Sequence, residues 1–100
     1  ALTLEYLPGR DILLAANFYT GGIYVVDANS FELEGISTVA PYSGIREIFS
    51  GGGYLYLRFG PGGRRGEVLI ETDKVISSAG PMQHAHRLRD LIFLPVNVSR

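Results

Sequence analysis

Histidine, arginine and tyrosine carry most of the chemistry this chain offers. The two histidines stand together in Gln83-His84-Ala85-His86, and cysteine is absent. Without cysteine there are no disulfide staples and no thiolate metal sites. On an extended segment His84 and His86 point to the same side, and such an imidazole pair can fill two positions of a metal or haem iron. Two ligands are not a site, so Asp90, Glu47 or a second copy of the chain would have to complete it. The plainer reading is an exposed or stacked imidazole pair.

A basic–acidic pair occurs twice, as Arg46-Glu47 and Arg89-Asp90. A guanidinium can clamp a carboxylate or phosphate through two parallel N–H bonds. The structural alternative is that each arginine pairs with the acid beside it, or across a contact between repeated units. Gly60-Pro61-Gly62-Gly63-Arg64-Arg65-Gly66 is glycine-rich and cationic. It is not a phosphate loop, because no Lys-Ser/Thr follows and the next element reads as a strand rather than a helix. A cationic hairpin tip remains, offering Arg64 and Arg65 to an acidic partner.

Tyr19, Tyr42, Tyr54 and Tyr56 are candidates for an aromatic platform under a sugar or base. Tyr42 is the best surface candidate, whereas Tyr54 and Tyr56 alternate on one strand and read as packing residues. Asn97-Val98-Ser99 fits a glycosylation acceptor, which matters only in a eukaryotic secretory setting. No serine stands in Gly-x-Ser-x-Gly, and no pair of carboxylates has supporting context. Asp27 and Asp73 read as turn residues. The chain is therefore read as non-enzymatic, with no catalytic residue and no cofactor assigned.

The elements that must position these residues are short strands. Residues 11–17 and 22–27 are apolar at successive positions and rich in β-formers, with a turn between them. Such runs need cover on both faces. Asp27-Ala28-Asn29-Ser30 supplies turn chemistry, and residues 31–34 alternate like an outer strand. Residues 45–49, 54–59 and 68–70 repeat the order, with 75–78 as a weaker outer strand. Residues 84–94 fit a helix with Ala85, Leu88, Leu91 and Ile92 on one face and Pro95 as its stop. Their match to residues 45–49 favours a strand instead.

That match belongs to an internal repeat. Ile45-Arg46-Glu47-Ile48-Phe49 returns as Leu88-Arg89-Asp90-Leu91-Ile92, and Leu4-Glu5-Tyr6-Leu7-Pro8 as Leu91-Ile92-Phe93-Leu94-Pro95. Leu4, Ile48 and Leu91 thus fall in one column, spaced about 43–44 residues apart, the period of a four-stranded propeller blade. The run from Ile23 through Val26-Asp27-Ala28-Asn29 to Leu33 resembles the strand, Asp-turn and outer strand of YVTN or NHL-like β-propeller blades. The resemblance implies an all-β, propeller-like array of four-stranded antiparallel blades, incomplete in one chain. It divides a single unit, residues 1–100, into repeats at about 1–43 and 44–86 and a partial repeat at 87–100. It also implies that Arg46 and Arg89 sit near the mouth of a central funnel, and that the hairpin tip shares a rim with His84 and His86.

Two blades and part of a third cannot close a ring, since closed propellers need about 4–8. An open stack leaves apolar faces and a strand edge in water. The expectation is a binding or assembly module whose partners are other copies of itself or the remaining blades of a longer propeller. The alternatives are a piece of an extracytoplasmic propeller enzyme with an anion, metal or haem site at its axis, and a carbohydrate-binding propeller using Tyr42 and Tyr19. A formal net charge of −1 gives no field to draw in nucleic acid. No apolar run approaches the roughly 20 residues that span a bilayer. An extracellular or periplasmic setting follows only from the resemblance.

Overall fold

The computed structural model describes residues 2–60, 66–82 and 85–92. They form two antiparallel sheets and two short helices, so the chain is mostly β. Strands β1 (Leu2–Leu7), β2 (Ile12–Asn17), β3 (Ile23–Asp27) and β4 (Leu33–Ser37) make a meander in the order β1-β2-β3-β4. Strands β5 (Ile45–Gly51), β6 (Tyr54–Phe59) and β7 (Gly66–Glu71) make a second sheet in that order. Helix α1 (Thr72–Ser77) follows β7, and α2 (Leu88–Ile92) lies near the end of the described chain.

Turn chemistry explains where the strands stop. Asp27 Oδ1 accepts the N–H groups of Asn29 (2.8 Å) and Ser30 (3.0 Å), folding the chain between β3 and β4. Asn17 does the same between β2 and β3, accepting from Tyr19 (2.9 Å) and Thr20 (3.3 Å). Both are side chains mimicking a backbone turn. The β5–β6 hairpin turns on Gly52 and Gly53, with φ of 59° and 84°. Positive φ at both central residues is what a tight hairpin demands, and only glycine adopts it without strain.

Register sorts side chains onto faces. Glu5 lies opposite Leu14, which lies opposite Val25, so these share one face of the first sheet with Thr3, Leu7, Ala16 and Ile23. Leu4, Ala15, Tyr24 and Ile36 are likewise in line on the other face. The first face packs on Ile45, Ile48, Leu55, Leu57 and Phe59 of the second sheet, forming the main core. The other face carries a second cluster, in which Ala15, Tyr24 and Val26 lie under Ala85 and Leu91. Both faces of β2 and β3 are therefore covered, as their continuous apolar runs require.

Three elements differ from the sequence reading. The outer strand anticipated at residues 75–78 is helix α1. Thr72, Val75, Ile76 and Ala79 recur at helical spacing, and Val75 is fully buried against the main core. The strand anticipated at 88–92 is also helical, with Leu88 and Leu91 facing the second cluster. The repeat's residue pattern therefore persists where its backbone does not. In the first unit the outer strand is Leu33–Ser37 rather than 31–34, because Phe31 closes the preceding turn through its N–H to the Asp27 carbonyl (2.8 Å).

Segments that follow α1 run back along β4. Ile36 and Gly80 exchange both backbone bonds (2.9 and 2.8 Å), and the Leu33 N–H donates to the His86 carbonyl at 2.8 Å. Gly35 permits this approach, since a Cβ there would lie 2.6 Å from the Gly80 carbonyl oxygen. The β4 edge of the first sheet is thereby covered. Among the described residues no strand pairs with the far edge of β7. Among the described residues no helix is long and apolar enough to cross a membrane.

Candidate functional site

The singled-out arginines lie on opposite sides of the first sheet. Arg46 is on β5, exposed, and its carbonyl accepts the Thr3 hydroxyl at 3.1 Å. Arg89 is on α2, laid against the other face. Among the described residues neither guanidinium makes an ion pair with the acid beside it. Glu47 instead meets Arg58 on the neighbouring strand at 2.7 Å. Asp90 Oδ2 accepts the backbone N–H groups of His86 (2.9 Å) and Arg87 (3.0 Å). Those two bonds hold the Asp90 carboxyl below its ordinary range.

Arg64, Arg65 and His84 lie outside the described residues. His86 is exposed, and its backbone is engaged with Leu33 and Asp90. Among the described residues no three His, Cys, Asp or Glu side chains stand together as a metal cluster. The acids considered as further ligands are occupied: Asp90 by backbone amides, and Glu47 by Arg58 on the second sheet.

Tyr42 is not the surface aromatic anticipated. It is half-buried, meets Phe59 edge-on at 5.4 Å and packs against the main core. The segment joining the sheets passes close to the β2–β3 turn, where Gly44 donates to the Phe18 carbonyl at 2.7 Å. Tyr42 is anchored there as a wedge. Tyr19 is more exposed and meets Phe18 edge-on at 5.3 Å.

Two further surface features stand out in the structure. One is a cleft of about 330 Å³ lined by Phe31, Arg87, Leu88 and Arg89. Arg87 reaches the Ser30 carbonyl (3.3 Å) and Glu32 (3.7 Å). Phe31 has φ of 60°, a conformation that sequence does not announce for an aromatic residue.

The other is the outer face of the second sheet. Cross-strand register lines up Phe49, Tyr56 and Leu69 in one row, with Glu47, Arg58 and Glu67 in the next. Phe49 is 51 % exposed and Leu69 is 66 % exposed. Tyr54 continues the aromatic surface at 45 %. Phe49 and Tyr56 have ring centroids 6.1 Å apart. Arg58 lies between two carboxylates, Glu47 at 2.7 Å and Glu67 at 3.9 Å. Hydrogen bonding to Glu67 pushes the Tyr56 phenol above its usual range. Residues 54–59 alternate with Leu55 and Leu57 inward and Tyr54 and Tyr56 outward, whereas the sequence reading took both tyrosines as packing residues. Phe49 and Leu69 carried no signal of their own.

Compared with protein-family models, curated proteins and solved structures, the chain matches none. The arrangement must speak for itself. An apolar row on a sheet, bordered by a charged row, suits packing against another sheet.

Proposed function

We propose that the chain is a binding and assembly module built of propeller-like units, and that the outer face of its second sheet associates with a further unit of the same kind. The observation that carries this reading is a contrast between two positions of equivalent placement. Leu14 and Val25 lie in line with Glu5 on β1, are at most 1 % exposed and are covered by the second sheet. Tyr56 and Leu69 lie in line with Phe49 on β5 in the same cross-strand manner, yet Leu69 is 66 % exposed. The first sheet's face has a neighbouring sheet on it, and the corresponding face of the second has none among the described residues. Successive antiparallel sheets packed face to face, each starting from the column shared by Leu4 and Ile48, support the propeller-like description.

The reading favours recognition over catalysis, because the candidate feature is a surface for packing. It is tested by measuring the particle mass of the chain by light scattering across a concentration series, beside Leu69→Asp. Association that grows with concentration and is weakened by Leu69→Asp supports the module. A monomer at every concentration, with Leu69→Asp indistinguishable from it, sinks the reading.

A further inference from the structure

The contact between the two sheets of one chain contains enough geometry to specify the next contact in a series. Its closest backbone approach is between β1 of the first sheet and β5 of the second, above the shared core of β2, β3 and β6. Thr3 Oγ1 donates to the Arg46 carbonyl, and Glu5 accepts from both the N–H and hydroxyl of Ser50. Alternate residues Thr3, Glu5 and Leu7 therefore look toward Ile48 and Ser50. The column that aligns Leu4 with Ile48 also aligns Glu5 with Phe49 and Tyr6 with Ser50. Transposed by one unit, the Glu5–Ser50 contact becomes Phe49 against Tyr6, and Ile48 is replaced by Leu4.

All three transposed residues are large, apolar or aromatic, and in water. Phe49 is 51 % exposed, Tyr6 49 % and Leu4 51 %. Where the polar pair joins sheets inside the chain, an aromatic pair stands waiting at the two open faces. The part of the first sheet's outer face left uncovered is its β1 side. Ala85 and Leu91 cover the β2–β3 region of that face at Ala15, Tyr24 and Val26, while Leu4 and Tyr6 on β1 stay open.

We infer that a second copy of this chain is the occupant of the outer face, docked head to tail so that Phe49 of one copy seats against Tyr6 and Leu4 of the next. The inference rests on the assembly reading above and adds its geometry. The two surfaces are different patches, so the contact is heterologous and propagates into a ring or an open filament. Tyr6 and Phe49 become the central aromatic anchors of the contact, the residue types that dominate such interfaces.

The test uses Phe49→Lys and Tyr6→Glu, both at exposed positions, with circular dichroism to verify that each remains folded. Each variant keeps one intact docking patch and spoils the other. Sedimentation of either alone is expected to show association weakened by about 30-fold or more. Their equimolar mixture is expected to associate more strongly than either variant alone, through the one wild-type junction the pair retains. If the wild-type chain associates but Tyr6→Glu leaves that association intact, the head-to-tail geometry is overturned while self-assembly stands. If the wild-type chain does not associate at all, both fall.

Discussion

One carboxylate oxygen of Glu5 accepts the backbone N–H of Ser50 at 2.9 Å and its hydroxyl at 2.7 Å, joining sheets through residues 45 positions apart in sequence. The acceptor is charged and half-buried, so its bonds are stronger than neutral ones but partly screened by water. Glu5→Ala is expected to destabilise the fold by about 1–2 kcal/mol, leaving the Ser50 amide without its partner. Glu5→Gln keeps an acceptor and is expected to cost about half as much. Urea unfolding of the three proteins checks the order. Equal stability of Glu5→Ala and wild type would remove this contact from the account of how the sheets are joined.

Gly35 lies on β4 where the chain returning from α1 comes closest. A methyl there would meet the Gly80 carbonyl at 2.6 Å and Ala79 at 3.1 Å. Backbone has little room to yield, so Gly35→Ala is expected to cost about 1–3 kcal/mol. The damage should be local, pushing the returning segment off the sheet edge. Hydrogen exchange reads this directly: the amides of Ile36 and Leu33, bonded to Gly80 and His86, should exchange faster in the variant. Unchanged protection would mean that the approach is not tight.

The strand pattern was legible because each strand's environment is written in its alternation. Leu55, Leu57 and Phe59 face inward between outward Tyr54, Tyr56 and Arg58, and a period of two cannot serve a helix. Continuous apolar runs in β2 and β3 announced cover on both faces, and Asp27 announced its turn. Helix α1 was not legible, and α2 was legible only as the reading set aside for a strand. Val75 and Ile76 are β-branched, which favours strand locally, yet burial of Thr72 and Val75 three residues apart decides for helix. Residues 88–92 match 45–49 by type, but apolar positions at 88, 91 and 92 satisfy a helix equally well. Among the site residues, Arg46 and Arg89 were visible as a repeat, and their separation by a whole sheet was not. The Glu5–Ser50 contact had no local signature at all.

Leu14 and Leu69 offer a direct comparison of the covered and open faces. Leu14 is fully buried in the main core, while Leu69 is 66 % exposed. Leu14→Ala is expected to cost about 2–5 kcal/mol through lost burial and the cavity left behind. Leu69→Ala should stay within about 0.5 kcal/mol in dilute protein, where its face has no cover. At concentrations that favour association, Leu69→Ala should lower the melting temperature relative to wild type. Calorimetry at two concentrations checks both halves, and a large loss for Leu69→Ala in dilute protein would contradict the exposure assigned to that face.

Acid should loosen the two aspartates that bind backbone amides. Asp27 accepts from Ser30 and Asn29, and Asp90 from His86 and Arg87, so both titrate below the ordinary value of 3.8. A carboxyl with a depressed folded-state pKa adds stability above its unfolded value and loses it as pH falls through the folded one. The effect is thus present at neutral pH and should fade below about pH 4. Asn at either position retains an acceptor oxygen for the turn but cannot titrate. The double variant Asp27→Asn with Asp90→Asn should be less stable than wild type at neutral pH and converge with it in acid. Melting temperatures of the two proteins, followed from neutral pH into acid, read this out. Parallel curves that never converge would show that these carboxylates contribute through shape alone.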